Sequence, residues 1–300
     1  MCIINKKRIY AAISVCLALV AFLYYYSKKD ILDCLIRDKK LFAFYENNLS
    51  IHYINVGQGD CELIRYKDKV ILIDAGPKEA ENTLINYLKK CKISEITCVI
   101  ATHPHEDHIG NMSNILNTFK VKKFIAPKVS TNTNCYKKMI AALRKQNLKI
   151  TPAHRDLKLD FGDLHLDFLA PYKEEYDNLN NYSAVVKLSF KNTSYLFTGD
   201  AEKLSESEML SSGINLKSTV LKLGHHGSNT ATTLPFLKKV DPSVAIVSCG
   251  KNNTYNHPSK ETLQKLISSK TKVFRTDVDG TILLISDGNI IKKLTLNNFI

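Results

Sequence analysis

The chain has 300 residues, of which 44% are hydrophobic and 24% are charged, and this composition excludes a largely disordered, a collagen-like or a polytopic membrane protein. Its 42 Lys and Arg residues outnumber the 29 Asp and Glu residues, which gives a formal net charge of +13. A basic body attracts polyanions such as nucleic acid, although a solvated lysine-rich face explains the same charge.

The first predicted element is a membrane anchor within residues 1–29. Residues 9–26 form an uninterrupted run without charge, close to the shortest length of a membrane-spanning helix. Three tyrosines end this run and two lysines follow it, which is typical of a membrane interface. A cleaved signal peptide would need small residues at this exit, so the pattern favours an uncleaved anchor over a signal peptide or a buried soluble helix.

The charges around the run predict its orientation. Residues 6–8 are all basic, whereas Lys28 and Lys29 are offset by Asp30 and Asp33. This excess favours a single-pass protein of the cell membrane with its body on the extracytoplasmic side. The six cysteines beyond the run form no CxxC pair and no evident disulfide framework. A cytoplasmic body or an anaerobic host would explain these cysteines equally well.

The first half of the body follows a connector of residues 30–49. β-Branched and aromatic residues in short runs predict strands, and apolar residues at helical spacing predict the helices between them. Strands are predicted at 50–56, 61–66, 69–75, 96–102 and 123–126, and helices at 79–91, 110–119 and 133–146.

The second half resembles the first in its alternation of strands and helices. It begins with a hairpin in residues 156–170 that turns at Gly162-Asp163, and a second hairpin turns at Lys191-Asn192. Strands follow at 219–224, 243–250, 272–276, 280–286 and 289–296, with helices at 203–211, 234–238 and 259–268. We therefore expect one α/β domain over residues 50–300, and no second membrane-spanning run.

The densest group of candidate ligands follows the strand that ends at Thr102. Residues 103–108 read HPHEDH and contain three histidines and one aspartate. Ligands at this spacing cannot all share one face of a helix, but they can converge on a loop that leaves a strand. Since no thiolate accompanies them, the group suits a catalytic zinc or manganese ion better than a structural cysteine site.

Further polar residues stand where other predicted strands end. Asp200 follows Gly199, the pair His225 and His226 lies between two glycines, and His257 follows the strand at 243–250. Each of these features is common in turns when it stands alone. Together they indicate a site at the carboxyl ends of strands, where open α/β sheets place their ligands.

These motifs resemble the metallo-β-lactamase superfamily, specifically the metallo-hydrolase domain of ComEC-like DNA-internalisation competence proteins. The superfamily motif HxHxDH stands at 103–108, and the ComEC-like motifs stand at 55–64, 72–76, 180–186, 198–200, 223–229 and 256–259. The resemblance covers about residues 50–290. It implies an α/β fold, a four-layer αββα sandwich with two divalent metal ions between the sheets. In this chain the sandwich would be preceded by the one transmembrane helix predicted from residues 9–26.

The resemblance also implies a role for each matching residue. His103 and His105 would bind the first metal, Asp107, His108 and His225 the second, and Asp200 would bridge them, while Asp74 would support the ligand loop from behind. The wider superfamily has a further histidine for the first metal, and only His154 and His165 lie in that stretch. ComEC-like members have a serine segment there, here at Ser183, so a labile manganese-like site is as plausible as tightly bound zinc.

The chemistry expected of such a centre is hydrolysis by a metal-activated water. Paired cations stabilise both the attacking and the leaving oxygen, which suits a phosphodiester. Protonation of the leaving oxygen is assigned to His226 or His257. Catalytic roles are therefore predicted for Asp107, His226 and His257, and substrate contacts for Ser183, Ser228 and Asn229.

We therefore expect a membrane-anchored phosphodiesterase or nuclease that acts on DNA or another phosphodiester polyanion, without an obligate protein partner. One alternative is an esterase for phosphodiester headgroups of the cell envelope, such as phosphorylcholine or teichoic acid. Another is a degenerate binding module, which the intact ligand set disfavours. A basic groove would favour the nuclease, and a small closed pocket would favour the esterase.

Overall fold

The computed structural model describes residues 47–294, so the predicted anchor at 1–29 and most of the connector at 30–49 lie outside the described residues. Within 47–294, no helix combines the length and the apolar character that a membrane crossing requires. The first described strand begins at Leu49, one residue before the predicted start of the body.

The first large sheet has eight strands and combines the first half of the body with its last two strands. In spatial order these are β17 (Ile291–Leu294), β16 (Ile282–Ser286), β1 (Leu49–Tyr53), β2 (Glu62–Tyr66), β3 (Lys69–Ile73), β5 (Cys98–Ile100), β7 (Phe124–Pro127) and β8 (Ile150–Ala153). The last four run parallel, so their carboxyl ends meet at one edge of the sheet. A small parallel pair, β4 (Glu95–Ile96) and β6 (Lys120–Val121), stands apart from this sheet.

The second large sheet has seven strands from the second half of the body. In spatial order these are β15 (Lys272–Arg275), β14 (Val244–Val247), β13 (Val220–Lys222), β12 (Thr193–Phe197), β11 (Val185–Phe190), β10 (Leu164–Ala170) and β9 (Lys158–Phe161). β12 to β15 are parallel, whereas β9 to β12 form the two predicted antiparallel hairpins.

Six of the helices in the described residues pack on the outer faces of the two sheets, and two single-turn helices follow β5 and β15. In chain order, these helices are α1 (Glu81–Lys90), α2 (Glu106–Ile109), α3 (Met112–Thr118), α4 (Asn134–Lys145), α5 (Lys203–Ser211), α6 (Leu234–Val240), α7 (Lys260–Ser268) and α8 (Thr276–Asp279). Three of them begin at a hydroxyl side chain that accepts a backbone hydrogen bond, at Thr133, Thr233 and Ser259. Such caps satisfy backbone donors that the first helical turn leaves unpaired.

Three hydrophobic clusters establish the layers. The central cluster fills the space between the sheets with side chains such as Tyr53, Phe168 and Phe197. The second cluster packs α1, α3 and α4 on the first sheet, and the third packs α5, α6 and α7 on the second sheet. This packing confirms the expected four-layer α/β arrangement, since each sheet buries one face on its partner and the other under helices.

β8 is a strand that the sequence analysis did not predict. Its four residues include Pro152, which lacks the N–H that a central strand needs. β8 lies at the edge of its sheet, where a proline is tolerated. The first sheet therefore has one more parallel strand after the predicted strand at 123–126.

Candidate metal centre

The polar residues singled out in the sequence follow strands of both sheets. Asp74 follows β3 and His103 follows β5 in the first sheet, while Asp200 follows β12 and His226 follows β13 in the second. Gly199 permits the close approach before Asp200, since its φ is 51° and an added Cβ would lie 2.9 Å from the Cβ of Thr102. Buried ligand atoms from the two sheets therefore meet between them.

The HxHxDH motif is part loop and part helix. The backbone leaves β5 in an extended path to His105, whose carbonyl accepts hydrogen bonds from the N–H groups of His108 and Ile109. α2 thus begins directly after His105 and carries Asp107 and His108 on its single turn. The predicted loop is correct for the first two histidines only.

Two groups of side chains bring their ligand atoms within 4.8 Å of one another. The first donor group is His103, His105 and Asp200, and the second donor group is Asp107, His108, Asp200 and His226. Asp200 belongs to both groups because its two oxygens face opposite sides. Oδ1 lies 3.2 Å from His108 Nε2, and Oδ2 lies 3.8 Å from His103 Nε2.

The two donor groups fit divalent cations chemically. Imidazole nitrogens and carboxylate oxygens are the ligands of catalytic zinc and manganese sites. His108 Nε2 and Asp200 Oδ1 are buried and face each other at 3.2 Å without forming a hydrogen bond, which is costly unless another species satisfies them. The side chain of Asp107 is 34% exposed, so the second donor group is open to solvent on one side.

Electrostatics around the centre favour bound positive charge. Burial lowers the pKa of His103 well below its usual value, which keeps its imidazole in the neutral form that binds metals. For His226, burial acts in the same direction, but the carboxylates of Asp200 and Asp60 raise the pKa to about 10. These carboxylates therefore attract a proton here, and a metal cation would serve the same electrostatic purpose.

The positions of His225 and His226 correct the sequence-based assignment. His226 Nε2 lies 3.1 Å from Asp107 Oδ2, inside the second donor group to which His225 was assigned. His225 lies outside that group, and its Nδ1 is 3.1 Å from Glu202 Oε1. The resemblance assigned the ligand to the first histidine of the pair, next to the strand. β13 ends at Lys222, and both histidines have left-handed backbone angles, with φ of 48° and 54°, which bring the second histidine to the donor group.

Asp74 lies directly behind the ligand loop and is fully buried. Its Oδ2 accepts hydrogen bonds from His108 Nδ1 at 2.7 Å and from Thr102 Oγ1 at 2.7 Å, and its Oδ1 accepts from the Thr102 N–H. The contact with Nδ1 leaves His108 Nε2 directed at Asp200. Such a carboxylate fixes the orientation and the tautomer of a metal-binding histidine.

Sequence reasoning missed a buried ion pair beneath His226. Lys222 Nζ pairs with Asp60 Oδ2, and both side chains are 2% exposed or less. His226 Nδ1 donates its hydrogen bond to the Ser248 carbonyl at 3.0 Å. Asp60 Oδ1 lies 3.2 Å from the same Nδ1, so Asp60 faces His226 as a buried negative charge, whereas Asp74 holds His108 by a hydrogen bond. Asp60, Asp74 and His108 also have ligand atoms within 4.8 Å of one another, but Lys222 already neutralises Asp60, and Thr102 and His108 already donate hydrogen bonds to Asp74.

One signal for this pair was present in the sequence. Lys222 is a lone charge within the apolar run TVLKLG, and lysines are almost never fully buried without a partner. Nothing local could identify the partner, since Asp60 lies 162 residues away along the chain.

The structure also changes the expected role of Ser183. It is fully buried, and its Oγ accepts a hydrogen bond from the Asp200 N–H at 3.1 Å, so it holds the Asp200 loop. Ser228 is buried too, and its Oγ accepts from the Thr230 N–H. Asn229 is exposed, as a substrate contact requires.

The remaining histidines occupy three different environments. His257 lies next to the centre, with its ring centroid 5.4 Å from that of His225 and 6.3 Å from that of His226. His165 is exposed on β10 and pairs with Asp160. His154 is exposed after β8, and neither of the latter two belongs to a donor group.

Comparison with known proteins identifies the family. The model of the metallo-beta-lactamase superfamily matches residues 54–251. The chain is 33% identical over 250 residues to ComE operon protein 3 of Bacillus subtilis, which covers 77% of this chain and 32% of that protein. It is 30% identical over 234 residues to Recombination protein 2 of Haemophilus influenzae, which covers 76% of this chain and 28% of that protein.

The comparison with solved structures concerns the fold alone. The metallo-beta-lactamase fold protein YhfI from Bacillus subtilis superposes with a TM-score of 0.53 at 11% identity, over 76% of this chain and 95% of that chain. Against the two curated relatives above, this chain spans about a third of their length.

Proposed function

The chain belongs to the metallo-β-lactamase superfamily of metal-dependent hydrolases, and on this basis we propose that it is a membrane-anchored phosphodiesterase that cleaves DNA. The observation that carries the proposal is the pair of donor groups that share Asp200. A shared carboxylate between two sets of imidazoles suits two cations that act together on one phosphate.

The residues that would hold the cations follow from the two donor groups. His103, His105 and one oxygen of Asp200 would bind the first zinc or manganese ion. Asp107, His108 and His226, with the other oxygen of Asp200, would bind the second. Three protein ligands at the first ion leave room for water or substrate. When bound, such ions polarise the phosphate and lower the pKa of a water.

His225 is the residue best placed to protonate the leaving oxygen. Its Nδ1 lies near Glu202 Oε1 and Thr230 Oγ1, at 3.1 and 3.0 Å, and its Nε2 lies 3.8 Å from Asp200 Oδ2. The Glu202 carboxylate and the Thr230 hydroxyl orient the ring, so that Nε2 faces the centre. His257 is the competing proton donor, and its ring centroid lies 5.4 Å from that of His225.

Two observations support DNA as the substrate. The names of the curated relatives refer to competence and recombination, as in Competence protein ComA of Neisseria gonorrhoeae, 26% identical over 242 residues. The net charge of +13 favours a polyanion. The uncharged run at 9–26 and the basic residues before it support an anchor in the cell membrane with an extracytoplasmic body.

The proposal is tested with the full chain in detergent, loaded with manganese or zinc. We expect cleavage of linear DNA and of bis-p-nitrophenyl phosphate, and loss of both in the matched variant Asp200→Asn. Hydrolysis of p-nitrophenyl phosphorylcholine without cleavage of DNA would contradict the proposal and favour a headgroup esterase. Metal binding without hydrolysis of any of these would favour a binding module.

A further inference from the structure

A cavity opens beside the metal centre, on the side of His257. It has a volume of about 710 Å³ and is formed mainly by the loop between β14 and α7. Its lining includes four asparagines and the rings of Tyr255 and His257. Two of its charged residues, Arg275 and Asp277, neutralise each other in an ion pair of 2.6 Å. The cavity therefore suits a neutral, polar and planar group better than a phosphate.

Tyr255 begins a series of rings that leads from the surface to the metal centre. Its side chain is large and apolar over most of its area, yet the residue is 66% exposed. One face lies on the His257 ring, with centroids 5.7 Å apart and planes inclined by 25°. The His257 ring in turn is inclined by 29° to that of His226, which belongs to the second donor group.

The loop that carries Tyr255 is fixed by a single amide. Asn253 Nδ2 donates to the carbonyls of Gly250 and His257, and its Oδ1 accepts from the His257 N–H at 2.9 Å. Gly250 N–H in turn donates to Gln58 Oε1, which ties the loop to the first sheet. An exposed ring on a fixed loop is ready to bind without a further cost in loop ordering.

We infer that Tyr255 is a stacking platform for the base of the nucleotide next to the scissile phosphate. The inference rests on the proposed function, because it requires that the substrate is nucleic acid. The open face of Tyr255 would carry the base, and the asparagine amides of the cavity would contact its polar edge. Since every base has a flat face, stacking of this kind tolerates any sequence. The site would therefore prefer unpaired bases without selecting one of them.

The test compares thymidine oligomers with oligomers in which the bases are replaced by abasic tetrahydrofuran units. Tyr255→Ala should raise the KM for the thymidine oligomer about 10-fold, because stacking on an aromatic side chain is lost. The KM for the abasic oligomer and both kcat values should stay within about twofold of wild type. Tyr255→Phe should resemble wild type, and Ile267→Ala, an exposed apolar residue of α7, should change neither KM.

Binding separates a failure of this inference from a failure of the proposed function. An oligomer that contains 2-aminopurine should lose fluorescence when it binds to the inactive variant Asp200→Asn, and the added change Tyr255→Ala should reduce that quenching. If no DNA is cleaved but quenching depends on Tyr255, the proposed function fails and the stacking site stands. Equal KM changes for both oligomers, or quenching that ignores Tyr255, would overturn the inference.

Discussion

His108 and His226, the two histidines of the second donor group, each have a buried carboxylate next to their Nδ1 atom. The two carboxylates differ because only one of them is paired with a buried cation. Behind His108, Asp74 accepts hydrogen bonds from His108 and Thr102 alone. Behind His226, Asp60 is paired with the buried cation Lys222. The Asp74 side therefore relies on hydrogen bonds and on positive charge at the centre, whereas the Asp60 side carries its own counter-charge.

This difference has an energetic consequence. A buried ion pair is a weak contributor to stability when it is intact, but removal of one partner leaves an uncompensated charge. A carboxylate that is satisfied by hydrogen bonds tolerates loss of its charge more easily. We therefore expect changes to the Asp60–Lys222 pair to lower mainly the free energy of unfolding. Changes to Asp74, which orients His108, should lower mainly the metal affinity.

The largest expected effects concern the roles of His225 and His226, one of which binds metal while the other protonates the leaving oxygen. His226→Ala should reduce metal content and activity together, because it removes a ligand from the second donor group. His225→Ala should keep the metal and lower kcat about 10²- to 10⁴-fold, as expected for a general acid. The loss should shrink for bis-p-nitrophenyl phosphate, whose leaving group needs little protonation. Both variants are checked by measuring their metal content together with their kinetics. If only His225→Ala loses metal, His225 is the metal ligand, as the sequence predicted.

The next effect concerns the stability of the Asp60 side. Lys222→Met should lower the free energy of unfolding by about 3–5 kcal/mol, because the Asp60 carboxylate remains buried without its cation. The double change of Lys222→Met with Asp60→Asn should recover part of this loss, since neither charge then remains. Chemical denaturation of the metal-free protein measures both variants. Equal stability of Lys222→Met and wild type would show that the pair is unimportant for folding.

A smaller effect is expected on the opposite side. Asp74→Asn should weaken metal affinity about 10- to 100-fold by loosening the orientation of His108, with less loss of stability than Lys222→Met. Competition with a fluorescent chelator measures the affinity, and Ser50→Ala in β1, remote from the donor groups, serves as the control. If Asp74→Asn unfolds the protein while its metal affinity is unchanged in the folded fraction, the division of roles is wrong.

The comparison also explains which parts of the site the sequence could predict. The motif at 103–108 could be identified from the sequence because its ligands are close together in the chain and follow a strongly apolar strand. Asp200 was readable because Gly199 marks the turn that precedes it. Strand alternation and turn residues likewise located both hairpins of the second sheet.

The other features depend on conformation and on distant contacts. The order of His225 and His226 is set by two successive left-handed residues, which side chains other than glycine rarely adopt and which no local pattern announced. The ion pair of Lys222 with Asp60 joins the two sheets and exists only after they have packed. Ser183 was assigned to the substrate, since a sequence cannot show that its hydroxyl is buried against Asp200.

The central claim is that one carboxylate serves two metal ions, and the most direct test is the metal content of Asp200→Asn beside wild type. After reconstitution with manganese or zinc and removal of free metal, mass spectrometry should find two ions per wild-type chain. The variant should lose metal from both donor groups and all measurable hydrolysis, while circular dichroism shows an unchanged fold. Full metal content with near-normal turnover in Asp200→Asn would contradict the shared centre.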